Sequence, residues 1–162
     1  MKKVKVICMA LLAMICMVSC RGPKTNANVF SSTVTVYSSD WYLDNTSWRV
    51  DIEYDAIDLA VNSYGAVLVY MNNENTWRQI PMTYYYTDIS NGQTIYCSSS
   101  LEVSSYQGGV SIFWTENDFY NGKRPTDHQF KIVALSSVDF SERSDVDFSN
   151  YEAVKEAFQL ND

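Results

Sequence analysis

One histidine, three prolines and six glycines are all that 162 residues contain. A single imidazole excludes zinc centres built from several histidines. The scattered glycines form no phosphate-cradling loop of the Walker or dinucleotide type, and neither a G-x-S-x-G elbow nor an H-E-x-x-H helix is present. Basic side chains are scarce as well, 12 against 19 acidic, and three of them, Lys2, Lys3 and Lys5, stand at the very start. Without that start, nine basic residues face nineteen acidic ones. Such a balance repels a phosphate backbone, so no nucleic-acid partner is expected; an acidic surface instead favours solubility. No apolar run reaches the roughly twenty residues that span a bilayer.

The longest apolar run, Val6 to Val18, is thirteen residues. Lysines precede it, and Ser19-Cys20 and a polar stretch follow it, which is the plan of a secretory signal peptide over residues 1–19. Met17-Val18-Ser19-Cys20 resembles the lipobox of bacterial lipoproteins, with Met17 where leucine is commoner. The resemblance implies an acylated Cys20 as the mature N-terminus and a lipid-anchored place in the cell envelope, at the outer membrane. Two or more acyl chains, at about 0.8 kcal/mol per buried CH₂, hold a protein stably. Residues 20–28 then read as a tether, since "RGPKTNAN" has no periodicity. Cys8 and Cys16 leave with the signal peptide, so Cys97 is the one thiol of the folded part and no internal disulfide is expected.

From residue 29 the pattern has period two. Val34 and Val36 share a face, and Trp48, Val50, Ile52 and Tyr54 oppose Arg49, Asp51, Glu53 and Asp55. Ile57, Ala60, Val61 and Tyr64 fall at helical spacing, with Asp55 placed to cap and Gly65 to stop. Ala66 to Met71 is apolar on both faces, as in an inner strand. Trp77 to Ile80 returns, and Asn91-Gly92 between β-prone runs predicts a hairpin. Gly109 to Trp114 and His128 to Leu135 supply the last strands. About seven strands over residues 29–136 predict an antiparallel two-sheet β-sandwich. Residues 137–162 read as an acidic connector and a C-terminal amphipathic helix, its capping box Ser149 to Glu152 and its stripe Tyr151, Val154 and Phe158.

The segments Gly65 to Tyr70, Trp77, Ile80, Pro81 and Phe130 to Val133 resemble a group of small Bacteroidetes lipoproteins reading G-A-V-L-V-Y, then W-x-x-[LI]-P, then F-K-[VI]-V. The likeness covers about residues 40 to 136. It implies a β fold and an envelope address, and it carries over no catalytic residue.

Chemistry is hard to find. Cys97 and His128 could pair as nucleophile and base, yet without an orienting third group they read as a buried thiol and a surface imidazole. Glu116 and Asp118, and Asp139, Glu142, Asp145 and Asp147, lack the spacing of a calcium loop and read as solvated connectors. No metal or other cofactor is expected, and no catalytic residue is assigned. Twelve tyrosines and four tryptophans exceed the needs of a core. In Tyr84-Tyr85-Tyr86 alternation sends one ring away from its neighbours, so some are exposed. Those three are the candidate binding residues. The leading expectation is a non-catalytic envelope domain contacting another protein; a glycan-binding module using exposed Tyr and Trp is the alternative, and a carboxylate-dependent hydrolase comes last.

Overall fold

The computed structural model describes residues 29–117 and 123–161. The expected signal peptide, Cys20 and the tether lie outside them. Among the described residues no helix is long and apolar enough to cross a membrane.

The described residues are mostly β, with nine strands, three short α-helices, one turn of 3-10 helix at Ser38–Asp40 and two antiparallel sheets. The first sheet orders β1 (Val29–Val36), β9 (His128–Leu135), β4 (Ala66–Asn73) and β5 (Thr76–Ile80); the second orders β2 (Tyr42–Asp44), β3 (Ser47–Glu53), β8 (Gly109–Glu116), β7 (Gln93–Tyr106) and β6 (Met82–Ser90). Both sheets contribute to one core. Val69, Met71, Phe130 and Ile132 of the first pack with Val50, Ile52, Leu101, Val110, Ile112 and Trp114 of the second. This is a sandwich-like arrangement, with two strands more than the expected seven. β2 has only three residues, too few to show an alternation.

The first sheet is covered on its other face too. Leu68, Tyr70, Val133 and Leu135 form a second cluster with Tyr151, Val154 and Phe158 of α3 (Tyr151–Phe158). β4 and β9 therefore lie between two apolar layers, and Leu68 to Met71 are all buried, as the apolar run predicts. Lys131 is buried on this outer face, its ammonium donating to the Tyr151 hydroxyl at 2.9 Å and lying 4.8 Å from the Trp77 ring centre.

The helix caps fall elsewhere than expected. α1 (Leu59–Tyr64) is capped by Asp58, whose carboxylate accepts from the Val61 N–H at 2.8 Å, not by Asp55; Gly65 ends it by donating to the Val61 carbonyl. A side chain on Gly65 would run into the Leu135 carbonyl, so close packing against β9 also requires the glycine. α3 is capped by Asn150, which accepts from the Glu152 N–H, while Ser149 donates to Asp147. Both misreadings are register errors among neighbouring capping residues. Part of the expected connector is helical: α2 (Ser137–Glu142) starts at Ser136, whose hydroxyl accepts from the Asp139 N–H.

The hairpin is as predicted. Asn91 and Gly92 both have positive φ, 52° and 77°, the backbone of a two-residue turn that matches strand twist. β5 and β6 are joined at Pro81, where the chain crosses from one sheet to the other.

Candidate functional site

β6, β7 and β8 meet in register, Tyr84 opposite Ser99, Tyr86 opposite Cys97 and Ser99 opposite Glu116. Cross-strand partners share a face, so Tyr84, Tyr86, Cys97, Ser99 and Glu116 all project on the core side of the second sheet. Towards this end the two sheets no longer fill the space between them. A cleft of about 680 Å³ remains, floored by these residues and Trp114 and bounded across from them by residues 123–126 and His128.

Glu116 organises the floor. Its carboxylate accepts from the Tyr86 hydroxyl at 2.6 Å, from the Trp114 indole N–H at 2.9 Å and from the Ser99 hydroxyl at 2.9 Å. The hydrogen bond to this carboxylate, with a smaller contribution from burial, raises the Tyr86 phenol well above its ordinary value. Tyr84 packs edge-on against Trp114, centroids 5.9 Å apart, and its phenol is raised by burial. The aromatic planes of the floor are thereby fixed by packing and by one shared acceptor.

The facing wall is fastened to the floor by two ring contacts. His128 stacks on Trp114 at 4.9 Å, and the Arg124 guanidinium lies 5.2 Å from the Trp48 ring centre. The Asp127 carboxylate accepts from the Ser38 N–H at 2.7 Å, tying the same segment to the residue two places beyond β1. Asp88, Asn117 and Lys123 add polar groups to the lining.

The structure thus separates the three tyrosines. Tyr84 is half-buried in the cleft floor, Tyr86 is partly open to the cleft, and Tyr85 stands on the opposite face, 82% exposed. Tyr96, on the same outer face through its pairing with Thr87, is 84% exposed.

Cys97 and His128 depart from the sequence expectation. The thiol is only partly buried and the imidazole is not a surface group; both line the cleft. They belong to different sheets, and the imidazole Nε2 is within 3.4 Å of the Thr126 hydroxyl. Burial lowers the His128 pKa, partly offset by Asp127.

The acidic stretches have local work. Glu116 orients the cleft rings, Asp139 accepts from Ser136, and Asp147 accepts from Ser149, which with the neighbouring backbone holds its carboxyl below the usual range. Asp118 lies outside the described residues. Among those described, no three His, Cys, Asp or Glu side chains are grouped to hold a metal.

From the sequence, Glu116 is read only as part of an acidic stretch and His128 only as a partner for Cys97, and nothing marks Trp114 or Arg124 as lining a site. One signal was present: Glu116 follows Val110, Ile112 and Trp114 in the inward phase of β8, a charge where the pattern asks for an apolar residue. The outer face of the same sheet holds a second polar group. Arg49 bonds Asp51 and Asp44, and the Ser111 and Tyr42 hydroxyls donate to Asp51. Burial alone pushes the Asp51 carboxyl up, but these bonds together bring it below its ordinary value. Its members satisfy one another, which fits bracing of β2, β3 and β8.

No protein-family model matches the chain, and neither does a curated protein or a solved structure.

Proposed function

We propose that the chain is a lipid-anchored cell-envelope binding protein, a β-sandwich domain whose cleft takes a carbohydrate-like ligand. The anchor rests on the leader-like start, the lipobox-like Met17 to Cys20 and the resemblance to small Bacteroidetes lipoproteins. The ligand class rests on one observation, the Glu116 carboxylate holding Tyr86 and Trp114 at fixed angles in an open cleft. Rings fixed before binding lose little freedom when a ligand stacks on them. A sugar ring offers an apolar face to the open Tyr86 ring, behind which Trp114 is buried as support, and hydroxyls to Asp88, Asn117 and Lys123 around it. In this reading the protein binds and does not turn its ligand over.

The test is titration of the full-length protein in detergent with a panel of soluble oligosaccharides, followed by intrinsic tryptophan fluorescence, to which Trp114 of the cleft contributes. Saturable quenching that disappears in Tyr86→Ala, in a variant that still unfolds cooperatively, is the expected result. A panel without a binder, or undiminished binding by Tyr86→Ala, sinks it. The anchor has its own test: Cys20→Ser should release the protein from membranes.

A second reading, contact with another envelope protein, is favoured by Tyr85 and Tyr96, exposed side by side on the face turned away from the cleft. Recovery of a partner from membranes by the parent protein and its loss in Tyr85→Ala and Tyr96→Ala would favour this surface over the cleft.

A further inference from the structure

β6 is one edge of the second sheet, β2 being the other, and among the described residues its outward backbone groups are arranged symmetrically. In a hairpin closed by Asn91-Gly92, the Ser90/Gln93 pair exchanges hydrogen bonds, and so do the pairs at every second residue back to Met82. Thr83, Tyr85, Thr87 and Ile89 therefore turn their N–H and C=O groups outward, away from β7. At one end of this row the Ile89 N–H is already taken by the Asp88 side chain at 2.8 Å. At the other end, the next residue in phase is Pro81, which has no N–H to give. What is left open is Thr83, Tyr85 and Thr87, centred on Tyr85.

We infer that β6 pairs with β6 of a second copy, antiparallel about a twofold axis at Tyr85, to form a continuous ten-stranded sheet. The sequence Thr83-Tyr84-Tyr85-Tyr86-Thr87 reads the same in both directions. In this register Tyr85 meets Tyr85 of the other copy, Thr83 meets Thr87 and Tyr84 meets Tyr86. About six backbone hydrogen bonds form, using all the open groups of the edge. The one charge of the strand, Asp88, falls opposite Met82 and not opposite its own copy, so the pairing brings no like charges face to face. An exposed edge of this length commonly carries a lysine, a proline or a bulge that prevents pairing; between Thr83 and Thr87 there is none. The closed, twofold register selects a second copy over an unrelated strand. The inference stands independently of what the cleft binds, although it sets the clefts of two copies side by side along β6.

The register can be read by cross-linking in membranes. In a Cys97→Ser background, Tyr85→Cys should give a disulfide-linked dimer, because directly opposed residues are about 5.5 Å apart at Cα, within disulfide reach. Thr83→Cys and Thr87→Cys should stay at background when expressed singly and cross-link when co-expressed. The Cys97→Ser protein with no added cysteine is the baseline, against which any linkage through the cysteines of the leader region is subtracted. Sedimentation of the full chain in detergent supplies the second measurement: the parent should run as a dimer, and Tyr85→Pro, altering an outward N–H, as a monomer with retained melting. A Tyr85→Cys protein at baseline, equal cross-linking by all three single variants, or a parent monomeric at every loading concentration overturns the inference.

Discussion

Lys131 and Tyr151 meet twice: the lysine Nζ lies 2.9 Å from the phenolic oxygen and 4.4 Å from the centre of the same ring. The contact joins the middle of β9 to the first residue of α3, and Trp77 closes over the ammonium from β5. An ammonium so deeply buried requires acceptors and ring faces around it. Tyr151→Phe keeps the ring and removes the hydroxyl. We expect it to lower stability by about 1–3 kcal/mol, measured by denaturant unfolding; an unchanged midpoint would show the hydroxyl to be dispensable.

Glu116 links the chemistry of the cleft to its shape. Glu116→Gln replaces an acceptor of three bonds by a group that presents an N–H to one of its former donors. Ligand affinity should fall about tenfold, equivalent to roughly 1.4 kcal/mol, and the Tyr86 phenol should titrate closer to its ordinary value. Because the folded chain holds the Tyr86 proton longer than the unfolded chain, the associated stability is complete below about pH 10 and is lost as pH rises beyond it. Oligosaccharide titration of the parent and of Glu116→Gln checks the affinity, ultraviolet titration the phenol, and denaturant unfolding above about pH 10 the stability.

The sole histidine reports on the cleft without ambiguity. Burial against Trp114 lowers the His128 pKa, so its ring resonances should titrate with a midpoint below about 6.5. As pH falls, the unfolded chain takes up this proton first. Stability from this group is therefore complete above about pH 6.5 and declines as pH drops through that value towards the folded midpoint. His128→Gln should flatten this segment of the stability profile; an identical slope in the variant would assign the dependence to other groups.

Val69 is fully buried, paired with Ile132 on one side and Ile80 on the other. Val69→Asp places an ionisable group where no polar partner stands, and several kcal/mol should be lost. Thermal unfolding measures it, and a small shift would contradict the two-layer burial of β4.

Much of the fold was legible because burial and alternation coincide. Trp48, Val50, Ile52 and Tyr54 all reach the shared core, and Arg49 and Asp51 all face away from it. The run from Leu68 to Met71 is apolar throughout because sheet packs on one face and α3 on the other. Lys131, in an equally buried run, breaks that logic; its acceptability depends on Tyr151 and Trp77, residues distant in sequence. The cleft was less legible for the same reason. Its floor needs Tyr86, Ser99 and Glu116 to be brought level by two strand registers, and its wall comes from residues after position 122. Local patterning shows only that one glutamate points inward. The shifted caps, Asp58 for Asp55 and Asn150 for Ser149, reflect several competent capping side chains within a few residues of one another.

The direction of β1 decides how the domain is presented. Val29 pairs with Leu135 and Val36 with His128, so the chain enters the domain at one end of the first sheet and reaches the cleft at the other. Eight residues of strand separate the two ends by about 25 Å. If Cys20 carries the proposed lipid, the domain is entered from the anchor's side at the end of the first sheet remote from the cleft. On the proposed reading, the cleft then opens at the end of the domain opposite to the one at which the chain arrives, which leaves its mouth clear of the chain's own point of entry.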